Sequence, residues 1–85
     1  MLTIKDFKTE KMGRMSYFSH LHGEHEVILE PTLTFGVFYV GIYRNRILVQ
    51  GKRRVEGLVE ALKAAEDMLA RTLKEEKKNE FHNNS

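Results

Sequence analysis

Apolar positions recur with two different periods along this chain, and the change of period divides it. From Arg53 to Lys78 the spacing is helical: Val55, Leu58, Val59, Leu62, Ala65, Leu69 and Leu73 follow the i, i+3, i+4, i+7 rule. Ala61, Ala64, Met68 and Ala70 widen the stripe, no proline interrupts it, and Gly57 is its one weak helix former near the start. The spacing therefore predicts one long helix over Arg53–Lys78.

Upstream the period falls to two. Met15-Ser16-Tyr17-Phe18-Ser19-His20-Leu21 places Met15, Tyr17 and Leu21 on one face of a strand. His22-Gly23-Glu24 reads as a tight turn, and His25–Glu30 returns with Val27 and Leu29 on one side and Ile28 on the other. Pro31 cannot donate to a ladder and ends that strand or sits at an edge. Phe35–Tyr43, aromatic and β-branched, is the next strand, with glycine at 36 and 41. Tyr43-Arg44-Asn45-Arg46 connects it to a return over Arg46–Gln50, and Gly51 breaks the strand before the helix. Residues 1–12 read as an edge strand or an irregular arm, Leu2 and Ile4 alternating as in a strand, with the alternative that Thr3-Ile4-Lys5-Asp6 is a helix cap followed by Phe7, Lys11 and Met12 on one side. The expected fold is α+β: a small antiparallel sheet of four to five strands followed by one long C-terminal helix (β-β-β-β-α), the helix covering one face. Residues 1–80 form one compact domain in this reading, and 81–85 a disordered tail.

Two features reach beyond a single copy. A helix of about 26 residues is a rod of roughly 39 Å, whereas four or five strands span only about 20–25 Å. Laid across the sheet, it overhangs and exposes Met68, Leu69 and Leu73, which with Leu62 form the expected homodimer interface. The strand at 35–43 is also apolar on both sides. Phe38, Val40 and Ile42 suit the core, leaving Phe35, Tyr39 and Tyr43 in an outward row that calls for a partner.

Composition narrows the classes. At 85 residues the chain sits near the lower limit for a self-sufficient core, and with no cysteine it has neither disulfides nor thiolate metal sites. Residues 1–5 lack the apolar core of a signal peptide, and the longest apolar run, 35–43, is far short of the roughly 20 residues a membrane helix needs. A cytoplasmic protein with no membrane partner is expected. Net charge is only +2, but Arg44, Arg46, Lys52, Arg53 and Arg54 form a basic stretch opposed by Glu24, Glu26 and Glu30.

Chemistry has little to assemble. His20-Leu21-His22-Gly23-Glu24-His25 resembles the His-x-His-x-Asp-His metal motif of the metallo-β-lactamase superfamily, over six residues only. That superfamily takes further ligands from later loops, and only His82 lies downstream here, so exposed turn histidines without metal are expected. Ser16 and Ser19 lack a Gly-x-Ser-x-Gly elbow. Gly36-x-x-x-x-Gly41 lacks the Lys-Ser/Thr of a phosphate loop. Glu24 and Glu26 have no evident pocket for acid–base work. The expectation is no enzyme, no cofactor and no small-molecule substrate.

Aromatic platforms beside cations bind single-stranded nucleic acid. Tyr39 and Tyr43 supply the first; Arg44, Arg46, Lys52, Arg53 and Arg54 supply the second. The element order is similar to that of dimeric single-strand-binding domains of the transcriptional-coactivator type. That similarity implies a small homodimeric nucleic-acid-binding protein for single-stranded DNA or RNA. The alternative is a small interaction or inhibitor protein, of the kind mobile elements encode, that uses the same strand face against a host protein.

Overall fold

A computed structural model describes residues 1–83, with side chains through Lys78. Five strands, β1 (Lys8–Met12), β2 (Met15–His22), β3 (His25–Pro31), β4 (Val37–Arg44) and β5 (Ile47–Glu56), precede one helix, α1 (Leu58–Asn83). The strands form a single antiparallel meander in the order β1-β2-β3-β4-β5. The expected α+β layout holds, and the fifth strand is supplied by the ambiguous N-terminal stretch. The edge strand is present but begins later than the Leu2/Ile4 alternation suggests, and the cap at Thr3 opens one short turn and no helix through Met12. Ile4–Asp6 is a 3₁₀ turn whose Thr3 N–H donates to Asp6 Oδ2 at 2.8 Å, and Lys8–Met12 is the edge strand. The Thr3 backbone hydrogen bond is the main cause holding the Asp6 carboxyl below its ordinary pKa.

Three hairpins turn through two residues each, at Gly13-Arg14, Gly23-Glu24 and Asn45-Arg46. Both residues of the last have positive φ, 50° and 67°, as a type I′ turn requires. Alternation then sorts the side chains. Val27 and Leu29 of β3 and Val40 and Ile42 of β4 are fully buried beneath Ala61, Ala65, Met68 and Leu69 of α1.

The helix begins later than its periodicity suggests. Arg53–Glu56 belongs to β5, where Val55 stands opposite Phe38 and Arg53 opposite Val40. Gly51 does not break the strand; the register shifts beside it and the ladder continues. The basic run therefore lies in a strand and not at the positive end of the helix dipole, and the first helical turn carries Glu60 instead. Gly57 makes the switch from strand to helix. Its φ is +93°, its N–H donates to Gly36 O at 2.6 Å, and its carbonyl accepts from Ala61 N at 2.9 Å. A side chain at that φ is strained, so Gly57→Ala is expected to cost about 1–2 kcal/mol, measurable as a lowered urea midpoint at unchanged m-value.

The helix runs along the strands and not across them. Its start is tied to Gly36, before β4, and Glu76 lies against Arg44 at the far end of β4. Leu58–Glu76 spans about 28 Å, matching about 26 Å for the eight residues of β4. The expected overhang of Met68, Leu69 and Leu73 is thus corrected: Met68 and Leu69 are buried in the chain's own core, and Leu62 and Leu73 pack half-buried against it. Past Glu76 the helix continues over residues 77–83. The backbone stays helical through Asn83, and the remainder of the expected 81–85 tail, Asn84 and Ser85, lies outside the described residues.

Candidate interaction face

One side of the sheet is sealed by α1; the other has no helix on it. The register places facing residues of neighbouring strands on the same side. Met12 stands opposite Met15, Glu10 opposite Tyr17, Ser19 opposite Ile28, Glu26 opposite Tyr43, and Glu30 opposite Tyr39. None of these pairs belongs to the buried core cluster. On this side lies an open trough of about 760 Å³ in which Met12, Met15, Tyr17, Ile28 and Tyr43 supply the apolar surface.

The two register shifts between β4 and β5 aim the basic strand at this trough. Gly41 lies opposite Ile28 with no side chain of its own, and Tyr43, Leu48 and Lys52 close over it. A Cβ at Gly41 would stand 3.2 Å from the tips of both Leu48 and Tyr43, tighter than ordinary van der Waals contact. Lys52 Nζ sits 3.0 Å from Glu30 Oε1, and that hydrogen bond raises the ammonium pKa against the opposing effect of partial desolvation. Ser19 Oγ donates to Glu26 Oε2 across the β2–β3 pair.

The residues expected to bind nucleic acid are divided by the sheet. Tyr39 and Tyr43 share the open side with Lys52 and with Arg54, which stands opposite Tyr39. Arg46 lines the trough from the β4–β5 turn. Arg53, opposite buried Val40, is on the helix side. Arg44 is also withdrawn: its Nη2 lies 2.6 Å from Glu24 Oε2 and its Nη1 3.0 Å from Glu76 Oε1. Those two hydrogen bonds, Glu24 first, raise its pKa further. Phe35, expected in the outward ring row, lies before β4 in the β3–β4 loop.

Of the three expected cations left on the open side, two are ion-paired, and Arg46 is in no ion pair among the described residues. Lys52 is paired with Glu30, and Arg54 Nη1 lies 3.5 Å from Glu56 Oε1. The sequence reading missed Met12 and the carboxylates Glu26 and Glu30 as part of this face. Their signal was the same alternation that placed Met15 and Tyr17 together, extended across the hairpins.

The histidines whose side chains are described do not converge on a metal site. His20 Nδ1 is 3.0 Å from Asp6 O, with its ring 5.5 Å from that of Phe7. His25 is buried, with Nε2 2.6 Å from Glu76 Oε2 but off the line of a hydrogen bond. Among the described residues no group of three or more His, Asp or Glu is placed to hold a metal ion. His25, Arg44, Glu24 and Glu76 instead form a charged clasp that pins α1 to the ends of β3 and β4. No helix among the described residues is long and apolar enough to cross a membrane. Comparisons with protein-family models, with curated proteins and with solved structures find no match to this chain.

Proposed function

We propose that this chain is a binding module, not an enzyme, and that it docks a protein partner on the open face of its sheet. The observation that carries this reading is the composition of the trough: methionine, tyrosine and isoleucine side chains around the Lys52–Glu30 ion pair, with Glu26 held by Ser19 and Arg46 at the rim. Interface cores are enriched in Tyr, Met and Arg, and an exposed apolar patch rimmed by polar groups marks an interaction site. A phosphate backbone laid in the trough would meet Glu26 and Glu30. A second copy stacked squarely face to face would set the central strand β3, with those same carboxylates, against its own image. A different protein offering lysine or arginine beside aliphatic side chains avoids both conflicts.

Single-stranded nucleic acid is the second reading, favoured by the two ring–cation neighbours on this face, Tyr39 with Arg54 and Tyr43 with Lys52. Capture from cell extract with wild-type, Tyr43→Ala and Val59→Ala baits separates the readings. A protein retained by wild type and by Val59→Ala, on the exposed helix surface, but lost with Tyr43→Ala supports the first. Electrophoretic retardation of single-stranded DNA or RNA that weakens steeply with salt supports the second.

A further inference from the structure

We propose that the loop joining β3 to β4 is a membrane-surface anchor that seats Leu33 and Phe35 in the headgroup–acyl boundary of an anionic bilayer. Leu33 and Phe35 lie outside the trough described above, which shares only Met12 and Met15 with this surface. Leu33 is 106% and Phe35 103% exposed, so the fold buries neither side chain. A chain gains nothing in its own stability from two large apolar groups held in water.

The loop is built rather than loose. Val37 N donates to Thr34 O at 3.1 Å, closing a turn whose third residue, Gly36, has φ +79°, as type II requires. Phe35 is thereby the corner residue. Thr32 N donates to Val37 O at 3.0 Å, Thr34 N to Thr32 Oγ1 at 3.1 Å, and Gly57 N to Gly36 O at 2.6 Å. These backbone groups are satisfied inside the protein, which lowers the cost of moving the tip out of water. No charged residue occurs between Pro31 and Tyr43.

The surroundings point to lipid and not to a protein pocket. The anchors stand in the loop at one end of the sheet, and a bilayer, unlike a pocket, requires no matching shape. The adjacent β1–β2 tip adds Met12 and Met15, 72% and 63% exposed, and Met15 lines one hollow with Leu33. Lys11 and Arg14 flank that tip and, among the described residues, have no carboxylate at ion-pair distance. Nearby Glu30 and Glu56 are already paired with Lys52 and Arg54; Glu10 alone is not. Apolar tips with flanking cations suit an anionic lipid surface. The chain would lie on such a surface, not span it.

The sequence contains no tryptophan, so Phe35→Trp introduces a single emission reporter. On adding vesicles of phosphatidylcholine with a minor share of phosphatidylserine, its emission is expected to shift to the blue, and the wild-type chain to co-sediment. Leu33→Ser is expected to reduce partitioning about tenfold, and Arg14→Ser about fivefold, the latter only when phosphatidylserine is present. Both variants should keep the wild-type circular dichroism and melting midpoint, because neither side chain contributes to the core. An unshifted emission with no co-sedimentation overturns the proposal, as does undiminished co-sedimentation of the Leu33→Ser, Phe35→Ser double variant. Loss of a captured protein on Leu33→Ser, without any vesicle binding, overturns it in favour of a protein partner.

Discussion

Leu29→Ala is expected to lower stability by about 2–5 kcal/mol. Leu29 has no exposed surface and is among the largest side chains sealed in the core, at the centre of β3 beneath the helix. Truncation removes its contacts with facing strand and helix side chains and leaves a space that a five-stranded sheet pinned at both ends of α1 closes only in part. An 85-residue domain holds roughly 4–13 kcal/mol in total, so this one change consumes a large part of it. For a domain of this size the melting midpoint should fall by about 10–30 °C. Differential scanning calorimetry reads it directly. A fall of only a degree or two would mean that the helix does not press on β3 as described.

The neighbouring substitution should behave in the opposite way. Ile28→Ser is expected to change stability by no more than about 1 kcal/mol, yet to weaken partner binding about thirtyfold or more. Ile28 is one residue from Leu29, and the two-residue period of a strand turns it to the open side, facing Gly41 across the ladder. Its side chain lies at the centre of the trough, between the methionines of β1 and β2 and the ring of Tyr43. Central anchors of this kind carry most of an interface's free energy, while rim contacts carry little. Serine is chosen because an acidic replacement between Glu26 and Glu30 would add repulsion on the same strand face and confuse the two readouts. Titration of the captured partner by calorimetry supplies the binding change, and thermal melting of the free chain supplies the control. Equal losses in both would show that Ile28 is a core residue and that the sheet has no free side.

The contrast between these two neighbours was legible in the sequence, because Val27 and Leu29 alternate with Ile28 and the register follows from short turns. So were the meander, the glycine turn at 23 and the strongest strand through Val40 and Ile42. The boundary at Gly57 was not. Val55 fits the helical spacing to Leu58 and Val59 as well as it fits a strand opposite Phe38, and only the pairing of Arg53–Glu56 with β4 decides between them. Phe35 was misread for a related reason: its alternation with Val37 and Tyr39 continues through Gly36, while the chain itself leaves the ladder there to form a turn. The fate of Arg44 depends on Glu76, 32 residues away along the chain, and no local pattern reports such a distance. The covering of Met68 and Leu69 rests on helix orientation. A helix laid lengthwise along β4 uses its whole stripe, whereas one laid crosswise would not.

A thiol footprint separates the open sheet face from the helix surface as the docking site, because the chain has no cysteine of its own. Single-cysteine chains, Ile28→Cys on the open sheet face and Val59→Cys on the exposed helix surface, are treated with a thiol reagent alone and in complex with the captured protein. Both are expected to react when free, and the complex to protect Ile28→Cys while Val59→Cys reacts as before. Protection of Val59→Cys with Ile28→Cys still reactive would place the partner on the helix and contradict docking on the open sheet face.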